Sequence, residues 1–154
     1  MRLDPAEVAP TPWANRLGAT RELAVCRGAD GEVDWRVSVA DLDRDARFST
    51  FPGIDRLFVA LGPLSLLVDG QPREMATGGM ARFAGEAAVE VRLERPTRAL
   101  NVMTRRGVVR GEVRLRDRSL PAPADADLIV DLGARDADIF IVDVVLQRPA
   151  AVRP

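Results

Sequence analysis

Apolar and polar residues alternate with a period of two in short runs along the chain, the pattern of half-buried β-strands. Trp35, Val37 and Val39 alternate with Arg36, Ser38 and Ala40, and Val89, Val91 and Leu93 with Glu90, Arg92 and Glu94. Over 108–116, Val109, Val113 and Leu115 face one way with Gly111 between them, and Arg110, Glu112, Arg114 and Arg116 face the other. Leu64 to Val68 predicts a strand entering a tight hairpin at Asp69-Gly70, a pair that supplies the positive φ angles such a turn needs. A second hairpin is predicted from Leu128 to Leu132, a turn over Gly133 to Asp136, and a return strand from Ile139 to Leu146. That last run is apolar on both faces. A buried helix competes for it, but its β-branched content favours a central strand. Helical periodicity is weak; short helices are expected only near Ala40, running through Asp43, or near Pro5. Many strands punctuated by Gly and Pro predict an all-β sandwich or barrel. The segment 121–127, Pro-Ala-Pro-Ala-Asp-Ala-Asp, reads as a surface loop.

Length adds that the 154 residues form a single domain, 1–154, large enough to bury a core. A formal net charge of −1 provides no global field for nucleic acid or an anionic membrane, so neither is an expected partner. The N-terminus lacks the apolar stretch of a signal peptide and no run reaches the length of a membrane span, so a cytoplasmic location is expected. Every basic residue is arginine. Any anion site must therefore use the flat, bidentate guanidinium or backbone N–H groups.

The chain has no histidine, no tyrosine and one cysteine, Cys26. Cys26 lies in the apolar run Leu23-Ala24-Val25-Cys26 and is read as a small core residue, with no imidazole to activate it. Imidazole-based metal sites are excluded. An all-carboxylate site for a hard cation would need clustered acids, and Asp41-Leu42-Asp43-Arg44-Asp45 is interleaved with arginine and reads as a solvated loop. No cofactor and no metal is expected. An enzyme is not the favoured reading: it would need Asp55, Asp41 or Glu22 as a base, and adjacent arginines would lower rather than raise such a pKa.

Four stretches carry candidate binding chemistry. In Thr11 to Leu23, a polar loop with Asn15, Thr20 and Arg21 leads into a strand; it supplies donors to a carboxylate or closes as a surface turn. In Trp35-Arg36-Val37-Ser38, alternation puts Arg36 and Ser38 on one face, toward solvent or a polar cavity, and Trp35 on the other. In Phe48 to Arg56, Pro52-Gly53 makes a turn pinned by Phe48 and Phe51, and Asp55-Arg56 is either a surface ion pair or two pocket walls. In Leu100 to Gly107, Asn101, Met103 and Arg105 share a face, a polar–thioether–cation row suited to a cavity.

Taken together, these stretches resemble the HutD/Ves family of bacterial cupin-fold proteins. The resemblance rests on Pro12-Trp13-Ala14-Asn15 with Thr20-Arg21-Glu22, on Trp35-Arg36-Val37-Ser38-Val39-Ala40, on Phe48 to Arg56, and on Asn101-Val102-Met103-Thr104-Arg105-Arg106-Gly107, in order and spacing over roughly residues 10 to 107. It implies a bicupin-like, double-stranded β-helix barrel and a regulatory small-molecule-binding role. Ala14 replaces the family's lysine, and Arg16-Leu17-Gly18-Ala19 replaces its glycine run. The chain past Gly107 looks short, so a trimmed second half is expected. The expected pocket is formed by Asn15, Arg21, Arg36, Ser38, Arg56, Asn101 and Arg105. Its arginines would clamp a small polar or anionic metabolite, with Arg36 and Arg56 opening into one cavity. The alternative is a structural module that forms a homodimer through strand edges, without a ligand.

Overall fold

The computed structural model describes residues 1–133 and 140–149. Fourteen strands make up almost all of its regular structure. In chain order they are β1 (Arg2–Leu3), β2 (Thr11–Pro12), β3 (Gly18–Arg27), β4 (Val33–Leu42), β5 (Ala46–Arg47), β6 (Ile54–Ala60) and β7 (Leu64–Val68). They continue with β8 (Gln71–Met75), β9 (Met80–Ala84), β10 (Val89–Arg92), β11 (Thr97–Arg105), β12 (Arg110–Asp117), β13 (Leu128–Asp131) and β14 (Phe140–Gln147). The one helical element described is a 3₁₀ turn at Pro5–Glu7, capped by the Asp4 carboxylate. The helix expected near Ala40 is absent. Those residues continue β4, which pairs with β3 on one side and β11 on the other as far as Leu42, and ladder pairing on both edges outweighs local propensity.

The strands form three sheets: a six-stranded sheet in the order β2-β3-β4-β11-β6-β9, a four-stranded sheet β5-β10-β7-β8, and a C-terminal sheet β1-β13-β14-β12. The fold is all-β and cupin-like. Its two facing sheets remain open at their edges rather than closing into one hydrogen-bonded barrel. On the inner face of the six-stranded sheet, Ala40, Phe58, Ala60, Ala81 and Ala99 pack against Leu64, Leu66, Met75, Val89 and Val91 of the four-stranded sheet. On its back, Val37, Val39, Leu57, Val59, Leu100 and Val102 pack against Leu128, Val130, Val142 and Val144. Each such side chain contributes about 1.5–3 kcal/mol on burial. The chain past Gly107 is thus a third layer covering the back of the cupin sandwich.

The Asp69-Gly70 hairpin forms as expected, with φ of 48° and 78° joining β7 to β8. β13 and β14 form the second hairpin's antiparallel ladder, and β14 is central, between β13 and β12. Most of the predicted turn, Ala134 to Asp136, and Ile139 lie outside the described residues. Cys26 is half-buried rather than in the core. A register shift in β3 between Glu22 and Ala24 disturbs the alternation that the apolar run suggested. The Asp41–Asp45 segment is only partly a loop, since Leu42 is fully buried and the Asp45 carboxylate accepts from the Leu93 N–H.

Candidate functional site

Strand register builds the site. Across β4, β11 and β6, cross-strand neighbours form successive rows on the inner face: Ala40–Ala99–Ala60, then Ser38–Asn101–Phe58, then Arg36–Met103–Arg56. Ala99 and Ala60 are fully buried under the four-stranded sheet, while Ala40 reaches the cavity. Ser38 and Asn101 of the second row and Arg36, Met103 and Arg56 of the third line a cavity of about 340 Å³. Trp13, Ala14 and Asn15 of the β2–β3 loop wall one side, and Phe48, Ser49 and Phe51 of the loop before β6 wall the other. Among the described residues three arginines line this cavity, Arg36, Arg47 and Arg56, and no carboxylate does.

Arg56 is the unusual member. It is 5% exposed, and Nη2 donates to the Asn101 Oδ1 at 3.0 Å. Among the described residues no carboxylate reaches it, and its buried Nε has no hydrogen-bond partner. Of the five N–H donors of a guanidinium, the described residues use one. The rings of Phe48, Phe51 and Phe83 stand 5.1, 5.6 and 5.1 Å from the guanidinium carbon. Such contacts offset part of a cation's desolvation. Burial pushes the Arg56 pKa down to about 10, so the group still carries its charge at neutral pH. An isolated buried cation is costly, and its natural complement is an anion.

The aromatic loop is held by main-chain bonds. The Phe48 N–H donates to the Val89 carbonyl at 2.9 Å and the Phe51 N–H to the Gly85 carbonyl at 2.8 Å. Gly53, at φ 76°, closes the predicted Pro52-Gly53 turn. Trp13 packs edge-on against Phe48, with centroids 6.0 Å apart, and donates its indole N–H to the Thr20 hydroxyl at 2.8 Å.

Of the seven expected site residues, Asn15, Arg36, Ser38, Arg56 and Asn101 line the cavity, and Arg36 and Arg56 open into it together. The Arg36 Nε donates to Glu22 at 2.7 Å, so at the mouth this cation already has a partner. Arg21 and Arg105 lie elsewhere. Thr20 and Glu22 sit opposite Ala40 and Ser38, so the intervening Arg21 projects from the other face, where it bonds Asp41 and the Val8 carbonyl. Arg105 continues the Asn101–Met103 row but lies past the cavity's end, held by Asp30 at 2.7 Å and Asp34 at 3.4 Å. The Asp30 hydrogen bond raises the Arg105 pKa and, reciprocally, holds that of Asp30 below the usual carboxylate range. Asp55 and Arg56 do not pair: adjacent residues on a strand face opposite sides, and Asp55 accepts from Arg106 instead. Arg106 also grips Glu86, which lowers the Glu86 pKa and raises its own.

Arg47 and Phe83 were not anticipated. Phe83 was legible in the alternation Met80-Ala81-Arg82-Phe83-Ala84, but Arg47 sits on a two-residue strand too short to show a pattern. Among the described residues, no three His, Cys, Asp or Glu side chains cluster as metal ligands. No helix among them is long and apolar enough to cross a membrane.

Two sheets packed face to face beside a polar cavity define a cupin-type scaffold. An RmlC-like cupin from Shewanella frigidimarina shares this fold, with a TM-score of 0.53 at 8% identity over 65% of this chain and 86% of that one. HutD from Pseudomonas fluorescens SBW25 matches it along nearly its whole length, with a TM-score of 0.71 at 20% identity over 94% of this chain and 97% of that one. The HutD family model matches residues 5–142, and the chain belongs to the HutD family. Protein Ves of Citrobacter koseri is 28% identical over 137 residues, covering 84% of this chain and 66% of Ves. The matched segments span between 45% and 66% of the length of the curated relatives. The family match runs beyond the 10–107 stretch that carried the resemblance and takes in most of the C-terminal sheet.

Proposed function

We propose that this protein binds a small carboxylate-bearing metabolite in the 340 Å³ cavity and serves a regulatory role in amino-acid, specifically histidine, utilisation. The observation that carries the reading is Arg56: a buried cation facing a cavity without a carboxylate, four of its N–H donors unused by the described residues. A ligand carboxylate would take up these donors, with Asn101 and Ser38 fixing its orientation and Trp13, Phe48 and Phe51 walling its apolar part. Membership in the HutD family supports the link to histidine utilisation. The binding reading needs no histidine, tyrosine or metal. The expected location is cytoplasmic.

Calorimetric titration with formate, acetate and larger carboxylates tests the proposal, with neutral sugars as controls. Binding of at least one carboxylate is expected, weakened at least ten-fold in Arg56→Met. If no carboxylate binds, or if Arg56→Met binds as tightly as the parent, the reading fails.

A further inference from the structure

The edges of two different sheets face each other across a crevice. β9 ends the six-stranded sheet, β12 ends the C-terminal sheet, and the two are not paired with one another. The crevice consists of two cavities, of about 600 and 340 Å³. Phe83, Val109 and Arg110 line the first, Met80, Glu112 and Val113 the second, and Arg82 belongs to both. Arg82 spans the gap: its Nη2 donates to the Gly111 carbonyl at 2.8 Å. That carbonyl is turned away from β14, because Leu146, opposite Gly111 in the ladder, gives its own N–H to Asp127.

Unpaired strand edges invite strand addition, and proteins normally blunt them. β8 is blunted by Pro72, Arg73 and Glu74, and β1, β2 and β5 are two residues long. β9 has five residues, no proline and a single charge, and Met80 at its start is 52% exposed. A second copy of this chain is a poor occupant. Two-fold antiparallel pairing centred on β9 sets Arg82 against itself, and like charges directly opposite destabilise a ladder. The charge of the crevice favours an acidic occupant. Among the described residues Arg110 has no side-chain partner, Arg82 bonds only a carbonyl, and Asp55 on the wall is already held by Arg106; Glu112 is the one lining carboxylate left without an arginine, against Arg56, Arg82 and Arg110.

We propose that this crevice receives an extended, acidic strand of a partner protein, which adds to the edges of β9 and β12 and sets its carboxylates on Arg82 and Arg110. Main-chain bonds supply the docking and the arginines select the sequence. The crevice shares Arg56 with the carboxylate cavity, whereas Arg82, Arg110 and β12 line the crevice alone.

The test pans a phage-displayed library of random octapeptides against the full-length protein. Enrichment of sequences alternating Asp or Glu with β-branched residues is expected. The enriched peptide, synthesised free, should shift the amide resonances of Met80–Ala84 and Arg110–Val113. Arg110→Glu should weaken it at least ten-fold and Arg110→Lys only slightly. An enriched set without acidic bias, shifts confined to the Trp13–Asn101 cavity, or unchanged binding by Arg110→Glu overturns the proposal. So does sedimentation showing that the protein dimerises and that Arg82→Ala tightens the dimer.

Discussion

Arg56 donates to the Asn101 Oδ1 at 3.0 Å, and Asn101 supplies its one hydrogen bond among the described residues. A long cation on β6 and a short amide on β11 thus share one buried contact in a cavity that no acid among the described residues lines. The amide holds the guanidinium in place without neutralising it, leaving charge and donors for a ligand. A carboxylate at position 101 would have made a stable internal ion pair and an inert cavity.

Arg56→Met is expected to separate stability from binding. Methionine keeps much of the apolar volume among Phe48, Phe51 and Phe83 and removes a desolvated charge. Orphaning the Asn101 Oδ1 costs about 1–3 kcal/mol, which offsets part of the gain. Urea unfolding should show stability unchanged within about 1 kcal/mol or increased. Asn101→Leu alone should cost more than Arg56→Met, because it leaves a buried charge without a hydrogen bond. The double variant should recover much of that loss, a coupling read from the thermodynamic cycle. If Arg56→Met proves the most destabilised of the three, Arg56 is a structural element and not a ligand anchor.

The same residue predicts an unusual alkaline response. Burial lowers the folded pKa of Arg56 to about 10, well below the ordinary arginine range. Below pH 10 both states keep the proton, and the native state bears the desolvation. Above pH 10, until unfolded arginine also loses its proton, the unfolded chain binds more protons than the native one, so this group's contribution to stability rises with pH. The full difference is about 3 kcal/mol. The chain has no lysine, tyrosine or histidine, so few other groups titrate in this window. Chemical denaturation at pH 9 and pH 11 should show the parent gaining stability relative to Arg56→Met. A constant difference between them would contradict the depressed pKa.

Alternation made the rows of the site legible in the sequence, but not their ends. Period-two spacing put Arg36 and Ser38 on one face and Asn101 and Met103 on another, and both faces prove to be the cavity wall. Parity could not show that Arg105 lies past the cavity's end, because that depends on where Asp30 and Asp34 sit in the β3–β4 connection and β4. Arg21 was misplaced because its strand, unlike β4 and β11, shows no clean alternation around the Glu22–Ala24 register shift. The closed barrel was expected from the resemblance, and strand patterns carry no signal for whether sheet edges meet. The third layer was visible as two apolar runs, Leu128–Leu132 and the segment ending at Leu146. Which face of which sheet it would cover was not.

Gly85 should prove irreplaceable for the geometry of the aromatic loop. A Cβ at this position would stand 2.1 Å from the Phe51 carbonyl oxygen and 2.8 Å from that of Ile54. Both neighbours are main chain, and the Gly85 N–H donates to the Ile54 carbonyl at 2.7 Å, so neither can move without opening the loop. Gly85→Ala is expected to destabilise the protein by more than about 2 kcal/mol, within the range of severe steric substitutions. It should also weaken carboxylate binding, because Phe51 stands beside Arg56. Thermal unfolding and calorimetry check the two effects. A variant as stable as the parent would show that the Phe51–Gly85 contact is not closely packed.

The two tryptophans give the cavity an internal reporter. Trp13 lines it, while Trp35 lies on the back face of the six-stranded sheet against the C-terminal layer. A carboxylate reaching Arg56 enters beside Trp13 and should disturb both its edge-on contact with Phe48 and its hydrogen bond to Thr20. Titration with a carboxylate that binds by calorimetry should therefore shift or quench tryptophan emission in the parent and in Trp35→Phe. Trp13→Phe should stay silent even where calorimetry still reports binding. Arg56→Met should lose both signals together, since it removes the charge that draws the ligand in. A response that survives in Trp13→Phe and disappears in Trp35→Phe would place the ligand at the back of the sheet, on the side of the C-terminal layer, and rule out the cavity between β4 and β6 as its site.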